Sequence, residues 1–268
     1  MEFAGNTGSS ITGLSEKNEA NREFMKSRSF AAVMRESDQA KGLPVPPHGI
    51  ERGGAKTTLP EFTANTLKEP SYVELLKLRR SQRDYTPNPI SQQQLSFLLW
   101  SMYSVQDYRG ATRAHTLRLV PSGGARHSFE IYFVALNIEG LKPGLYHYLP
   151  LDDVGIARAT IEYIGVRPDD DTILRMMVGQ EWALKAGALF FISTIPYRGE
   201  WRYDWLAHRM LMTDLGYVGQ NFMLSCAALG LGSCQVAGYD QELCDQIFGL
   251  DGADEFFLIA MPVGTTAA

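Results

Sequence analysis

Apolar residues settle into regular spacing only beyond Pro70. Before it the chain is polar and broken, by Asn6-Thr7-Gly8-Ser9-Ser10, by Gly42-Leu43-Pro44-Val45-Pro46-Pro47 and by Gly53-Gly54. Such punctuation cannot bury enough apolar surface to fold alone. One helical patch interrupts it, over 21–35, with Phe24, Phe30, Val33 and Met34 as anchors. Residues 1–65 therefore read as a polar extended arm. It either wraps a larger body, its own or a partner's, or stays partly disordered. Residues 66–268 read as the folded domain.

Beyond Pro70, Ser71 with Glu74 forms a capping-box pattern, and Val73, Leu76 and Lys77 suit one face of a short helix. Ser91 with Gln94 repeats the pattern, and Leu95, Leu98, Leu99 and Met102 predict a helix over 91–105 with one buried face. Two nearly unbroken apolar runs, 129–136 and 187–195, predict central strands covered on both sides. A long helix follows over 205–229, where Gly216 and Gly219 allow close approach, and short strands are expected over 233–237 and 255–262. The order of helices and strands lacks strict alternation, so the expected class is α+β, a mixed central sheet packed between helices, rather than a doubly wound nucleotide fold.

At 268 residues and 45% hydrophobic content, the chain can bury a real core. A net charge of -5, with no interleaved basic and aromatic run, argues against nucleic acid and for a small-molecule partner. The amino terminus lacks a basic start followed by an apolar core, and the longest apolar stretch is too short to span a bilayer. The expectation is a soluble, cytoplasmic protein without membrane contact. Cys226, Cys234 and Cys244 match neither a zinc motif nor a redox pair, and the five histidines show no metal-ligand spacing, so no metal is expected.

The candidate chemistry lies in a few clusters. Arg79-Arg80-Ser81-Gln82-Arg83 puts three guanidiniums and a hydroxyl together after the first short helix. Guanidinium donors match phosphate oxygens in pairs, but arginines also favour a helix C-terminus, and the residues leave both readings open. Pro121-Ser122-Gly123-Gly124-Ala125-Arg126 stands just before a predicted strand, either as a tight turn or as backbone that lets a flat ligand come near. Leu229-Gly230-Leu231-Gly232-Ser233-Cys234 is not a dinucleotide loop, because Gln235 stands where its third glycine would be and a strand follows; its glycines end the long helix. Ala237-Gly238 offers exposed amides. Arg202-Tyr203, between Trp201 and Trp205, is either pocket lining or a helix start anchored by its tryptophans. No Gly-x-Ser-x-Gly elbow and no Walker loop occurs.

Taken in order, these clusters, together with Gly140-Leu141-Lys142-Pro143-Gly144-Leu145-Tyr146-His147-Tyr148, Gly219-Gln220-Asn221 and Pro262-Val263-Gly264, resemble the nitroreductase superfamily, and within it the SagB-type dehydrogenase branch. The resemblance runs from about Pro70 to Gly264. It implies an α+β flavoprotein that binds FMN as a homodimer, with the flavin at the subunit interface and NAD(P)H as its electron donor. Arg79, Arg80, Ser81 and Arg83 would hold the phosphate and ribityl chain. Pro121, Ser122, Gly123, Gly124, Ala125 and Arg126 would line the isoalloxazine, and Ala237 and Gly238 would face its N5 edge.

Arg202 and Tyr203 take the place of a Lys-Tyr pair that azoline-oxidising relatives carry. Arginine does not give up its proton as lysine does, which weakens a general-base role there. Many members also place basic residues after the last strand, where this chain reads Thr265-Thr266-Ala267-Ala268, so the amino-terminal arginines would bear most of the phosphate's charge. The leading expectation is an FMN-dependent oxidoreductase cycling by hydride transfer through N5. The rivals are a dehydrogenase that oxidises azoline rings in modified peptides and a non-catalytic, flavin-holding partner protein.

Overall fold

The computed structural model describes residues 16–26, 29–110 and 115–267; the stretch from Asn6 to Ser10 lies outside them. The helices are α1 (Glu16–Phe24), α2 (Phe30–Glu36), α3 (Tyr72–Leu78), α4 (Gln92–Tyr103), α5 (Asp170–Met176), α6 (Tyr197–Tyr203), α7 (Ala207–Leu229) and α8 (Gln241–Phe248). The strands are β1 (Ala55–Thr58), β2 (Val105–Arg109), β3 (His115–Arg118), β4 (Phe129–Ala135), β5 (Gly144–Tyr148), β6 (Thr160–Val166), β7 (Ala188–Thr194), β8 (Leu231–Ser233) and β9 (Phe256–Thr265).

β4 and β7, the two apolar runs, are buried at every position and pair from Phe129 opposite Thr194 to Ala135 opposite Ala188. They lie in the middle of a seven-stranded sheet of order β1-β6-β5-β4-β7-β9-β8. All its strand pairs are antiparallel, and among the described residues parallel contact is limited to single bridges, Ser81 to Ser233 and Ile90 to Ile138. Alternate residues point to opposite faces. Ile131, Phe133, Phe190 and Ile192 meet α4 and α7 on one side. Val134, Leu189, Phe191 and Phe257 meet α5 and α8 on the other. The class is α+β, a sheet between two helical layers.

Local chemistry accounts for most element ends. The Ser91–Gln94 box forms: the Ser91 hydroxyl accepts from the Gln94 amide at 3.2 Å, and the Gln94 side chain accepts from the Ser91 amide at 2.9 Å. The Ser71–Glu74 box does not form. Lys77 takes the Glu74 carboxylate at 2.7 Å, and the Ser71 amide bonds to Glu69 instead, at 2.7 Å. α7 stops at Gly230, whose φ of 68° suits a glycine. Gly219 does meet a close neighbour, since a Cβ there would fall 1.9 Å from Gln235 Nε2, whereas Gly216 faces open space. The patch expected over 21–35 is two helices, and of its four anchors Phe24 and Phe30 are exposed while Val33 is buried. The strand expected over 233–237 is instead β8 over 231–233, because Gly230 releases the chain directly into the sheet edge, and beyond it Val236 makes a single bridge to Ala260.

Residues ahead of α3 contact the sheet and α6. β1 pairs with β6, the Gln39 amide donates to the Trp201 carbonyl at 2.8 Å, and Trp201 Nε1 donates to the Leu43 carbonyl at 3.0 Å. Arg52 ion-pairs with Glu255, and the Arg52 and Gly54 amides donate to Glu162 at 2.7 and 3.0 Å. Glu162 in turn meets His147 Nδ1 at 2.7 Å, Glu130 meets His147 Nε2 at 3.1 Å, and Arg198 pairs with Glu130. These groups thus form one connected chain of basic and acidic side chains across the sheet, with His147 between Glu130 and Glu162. Burial opposes a charge on His147, but the hydrogen bonds and charges of Glu130 and Glu162 raise its pKa.

Candidate functional site: the two ends of helix α7

At the C-terminal end of α7, the Lys68 and Glu69 amides both donate to the Ala228 carbonyl, at 2.8 and 3.1 Å, which fastens the segment before α3 to the last turn. α3 ends as the Arg79 amide bonds back to Leu75, and the chain then runs beside β8, where the Gln82 amide donates to the Ser233 carbonyl at 2.9 Å. These contacts surround a pocket of about 310 Å³ lined by Lys68, Arg79, Arg80, Gln82, Ser233 and Thr266. Among the described residues none of its three cations meets a carboxylate. Gln82 Oε1 is buried with no hydrogen-bond partner. An anion with hydroxyl or phosphate oxygens fits this donor set.

The expected cluster divides here. Arg79 and Arg80 line the pocket, whereas Arg83 lies over the Trp182 ring at 5.7 Å, and Ser81 is exposed at its single bridge to Ser233. Ala237 and Gly238 are exposed on the same side as Trp182, with the Gly238 carbonyl accepting from Gln180 Nε2 at 2.7 Å.

At the N-terminal end of α7, Pro121–Arg126 folds as a turn in which Gly124 and Ala125 have φ of 59° and 53°. The Gly123 amide donates to Asp214 at 3.0 Å, and the Ser122 hydroxyl accepts from the His127 amide at 2.9 Å. Burial pushes the Asp214 carboxyl up, against the hydrogen bonds from Ser122 and Gly123. A Cβ on Gly124 would fall 2.3 Å from the Tyr203 hydroxyl, so the turn needs glycine for fit as well as for φ. Arg126 is 2% exposed, donates through Nε to the Arg198 carbonyl at 2.9 Å, and stacks 4.8 Å from the Trp201 ring. Burial, then Arg202 nearby, pulls its pKa down to about 10. Arg202 lies 5.4 Å from the Tyr203 ring, and its Nε is buried without a hydrogen-bond partner.

The candidates therefore fall in three places: Arg79 and Arg80 at the pocket with Ser81 bridged to Ser233, Arg83 on Trp182 with Ala237 and Gly238 exposed nearby, and Pro121–Arg126 with Arg202 and Tyr203. Asp214 marks the last of these on α7 and Ala227 marks the pocket. At a rise of about 1.5 Å per residue these are roughly 20 Å apart along the helix. Sequence reading missed Lys68, Gln82 and Asp214. Lys68 sits eleven positions before Arg79, just ahead of Glu69-Pro70, and only the helix end it docks on brings it near. Asp214, a lone acidic residue in an apolar helical stretch, was the one visible signal.

Among the described residues no group of three or more His, Cys, Asp or Glu is placed to hold a metal ion. Nor is any helix long and apolar enough to cross a membrane. The three cysteines are free and buried, and burial pushes the Cys226 thiol up to about 12.

The model of the Nitroreductase family matches residues 76–265, and the chain belongs to that family. A protein of Methanocaldococcus jannaschii that carries a nitroreductase name, MJ1384, is 32% identical over 214 residues, 76% of this chain and 96% of its own. Among solved structures, the Escherichia coli microcin synthetase McbBCD complex, with truncated pro-MccB17 bound, matches at a TM-score of 0.59 and 21% identity over 93% of this chain and 86% of that one. A nitroreductase from Desulfovibrio desulfuricans in complex with FMN matches at 0.50 and 15% identity, over 75% of this chain and 89% of that one.

Proposed function

We propose that this protein is an FMN-dependent oxidoreductase of nitroreductase type that works as a homodimer, with NAD(P)H as electron donor. The observation that carries the reading is the pocket at the end of α7, where three cations stand without a carboxylate and a buried amide oxygen without a donor. A phosphate supplies the first need and a ribityl hydroxyl the second. The Desulfovibrio relative's FMN supports the choice of cofactor. Bound FMN would supply two-electron hydride transfer through its N5 atom. Arg79 and Arg80 would grip the phosphate, and the exposed amides of Ala237 and Gly238 would face the ring's N5 edge.

The glycine turn and the pocket stand roughly 20 Å apart along α7, which favours a ring contact supplied by a second copy of the chain. A two-fold partner would bring its own Gly123–Ala125 turn, held by its own Asp214, over the first subunit's pocket. α3 exposes Tyr72, Val73 and Leu76, and α7 exposes Met212 and Tyr217, which gives such a partner apolar surface to cover. The substrate class is a nitroaromatic, a quinone or a natural-product intermediate.

Azoline oxidation in a modified peptide is the second reading, favoured by the likeness to the microcin synthetase complex over most of both chains. Arg202 in the lysine position speaks against it, so Tyr203 would be the only proton-transfer group of the pair. Activity on a thiazoline peptide that falls with Tyr203→Phe would favour this reading over the first. The test of the main reading is a visible spectrum of purified protein with the heat-released cofactor identified. A yellow protein releasing FMN and bleached by NADH or NADPH is expected. Colourless protein that takes up no FMN would contradict it.

A further inference from the structure

We propose that Lys68, in the segment ahead of α3, is a third cation on the mononucleotide's terminal phosphate, acting with Arg79 and Arg80; this rests on the flavin reading above. Lys68 shares the pocket lining with both arginines, and the residues that close the pocket beyond β9, Thr266 and Ala267, carry no side-chain charge. Its stem crosses Gly230 so closely that a Cβ there would fall 2.5 Å from Lys68 Cδ and 3.0 Å from Nζ. Gly230 thus has two tasks: its φ of 68° ends α7, and its missing side chain lets the lysine pass.

The plain alternative is that Lys68 only neutralises the C-terminal end of α7, as lysines often do. Three of the carbonyls at that end are already served. Ala228 accepts from the Lys68 and Glu69 amides, and Ala227 and Cys226 accept from the Gly230 amide. Among the described residues the ammonium meets no carboxylate, so its hydrogen-bonding capacity is open to whatever enters the pocket. Gln82 stands in the same lining, and its buried Oε1 has no hydrogen-bond partner.

FMN and riboflavin differ only in the phosphate, so the ratio of their affinities isolates what Lys68 touches. The experiment titrates apo-protein with each by flavin fluorescence, for wild type, Lys68→Met and Lys68→Arg, with thermal melts run alongside. Lys68→Met keeps most of the stem across Gly230 and removes the charge. The expected result is a loss of FMN affinity of about 10- to 100-fold, the size of a charge-assisted contact, with riboflavin affinity and melting temperature unchanged. The deficit should shrink as salt rises, and Lys68→Arg should recover most of it. An equal loss for both ligands, or a lowered melting temperature with an unchanged ratio, would show Lys68 to be structural and overturn the assignment. So would a variant that still prefers FMN as strongly as wild type does. Wild-type protein that binds neither ligand would instead bring down the flavin reading itself.

Discussion

Both ends of α7 gather cationic side chains, and what separates the two sets is the company they keep. At the N-terminal end, Arg198 is buried against Glu130, Arg126 is buried on Trp201 and the Arg198 carbonyl, and Arg202 leans on Tyr203. Arg126 and Arg198 give hydrogen bonds to oxygens of the protein, although Arg202 Nε is buried without a partner. At the C-terminal end, Lys68, Arg79 and Arg80 line an open pocket and meet no carboxylate among the described residues. A cation held by the fold is part of the fold, whereas one left facing a pocket is an offer to a ligand. Residue type alone does not distinguish them.

The comparison breaks if the two sets respond alike to mutation. Replacing Arg79 and Arg80 together by alanine should cost FMN about 10²- to 10⁴-fold in affinity, on about 1.5–3 kcal/mol per charge-assisted contact, and leave the urea midpoint nearly unmoved. Arg198→Ala should do the reverse. It strands the buried Glu130 carboxylate, so unfolding stability should fall by about 3–5 kcal/mol in a urea titration, with any flavin loss secondary. Gly124→Ala forces an alanine into positive φ and toward the Tyr203 hydroxyl. It should cost about 1–3 kcal/mol, seen in the thermal melt.

The smallest effect concerns pH. His147 has a raised pKa, so its contribution is complete below the ordinary imidazole value of 6.5 and fades as pH rises through its folded value. Burial works against ionised Glu130, but the Arg198 charge and the His147 hydrogen bond hold its pKa down to about 2, so its contribution is complete above the ordinary 4.5 and is lost as pH falls toward 2. Stability from this network should therefore be greatest between about pH 4.5 and 6.5. Replacing His147 by asparagine should flatten the alkaline side of a curve of urea midpoint against pH. An alkaline limb that persists unchanged in that variant would remove His147 from the account.

The fold was largely legible where the signal was local and strong. The unbroken apolar runs of β4 and β7, the Ser91–Gln94 box of α4 and the length of α7 each carry their own physical cause. β1, β5 and β6 were not recognised as strands, since β1 is a fully exposed edge strand and polar His147 and Glu162 interrupt the apolar pattern. Those polar residues are tolerated because each finds partners far along the chain, Glu162 in His147 and the Arg52 and Gly54 amides, and His147 also in Glu130, pairings no window of sequence contains. For the site, the arginine run and the glycine turn were visible as motifs. Their separation by the length of α7 was not, nor was the recruitment of Lys68, because both depend on where distant segments dock.

The central claim is that a complete site takes its cations from one chain and its glycine turn from another. Mixing separately inactivated chains tests this most directly: Arg79→Ala/Arg80→Ala protein is unfolded and refolded together with Gly124→Val protein, and bound flavin is read from its visible absorbance. Random pairing gives mixed dimers with both lesions in one site and none in the other, so flavin binding should return to up to about a quarter of the sites. If neither variant alone binds flavin and the refolded mixture binds none either, the site lies within a single chain and the account is wrong.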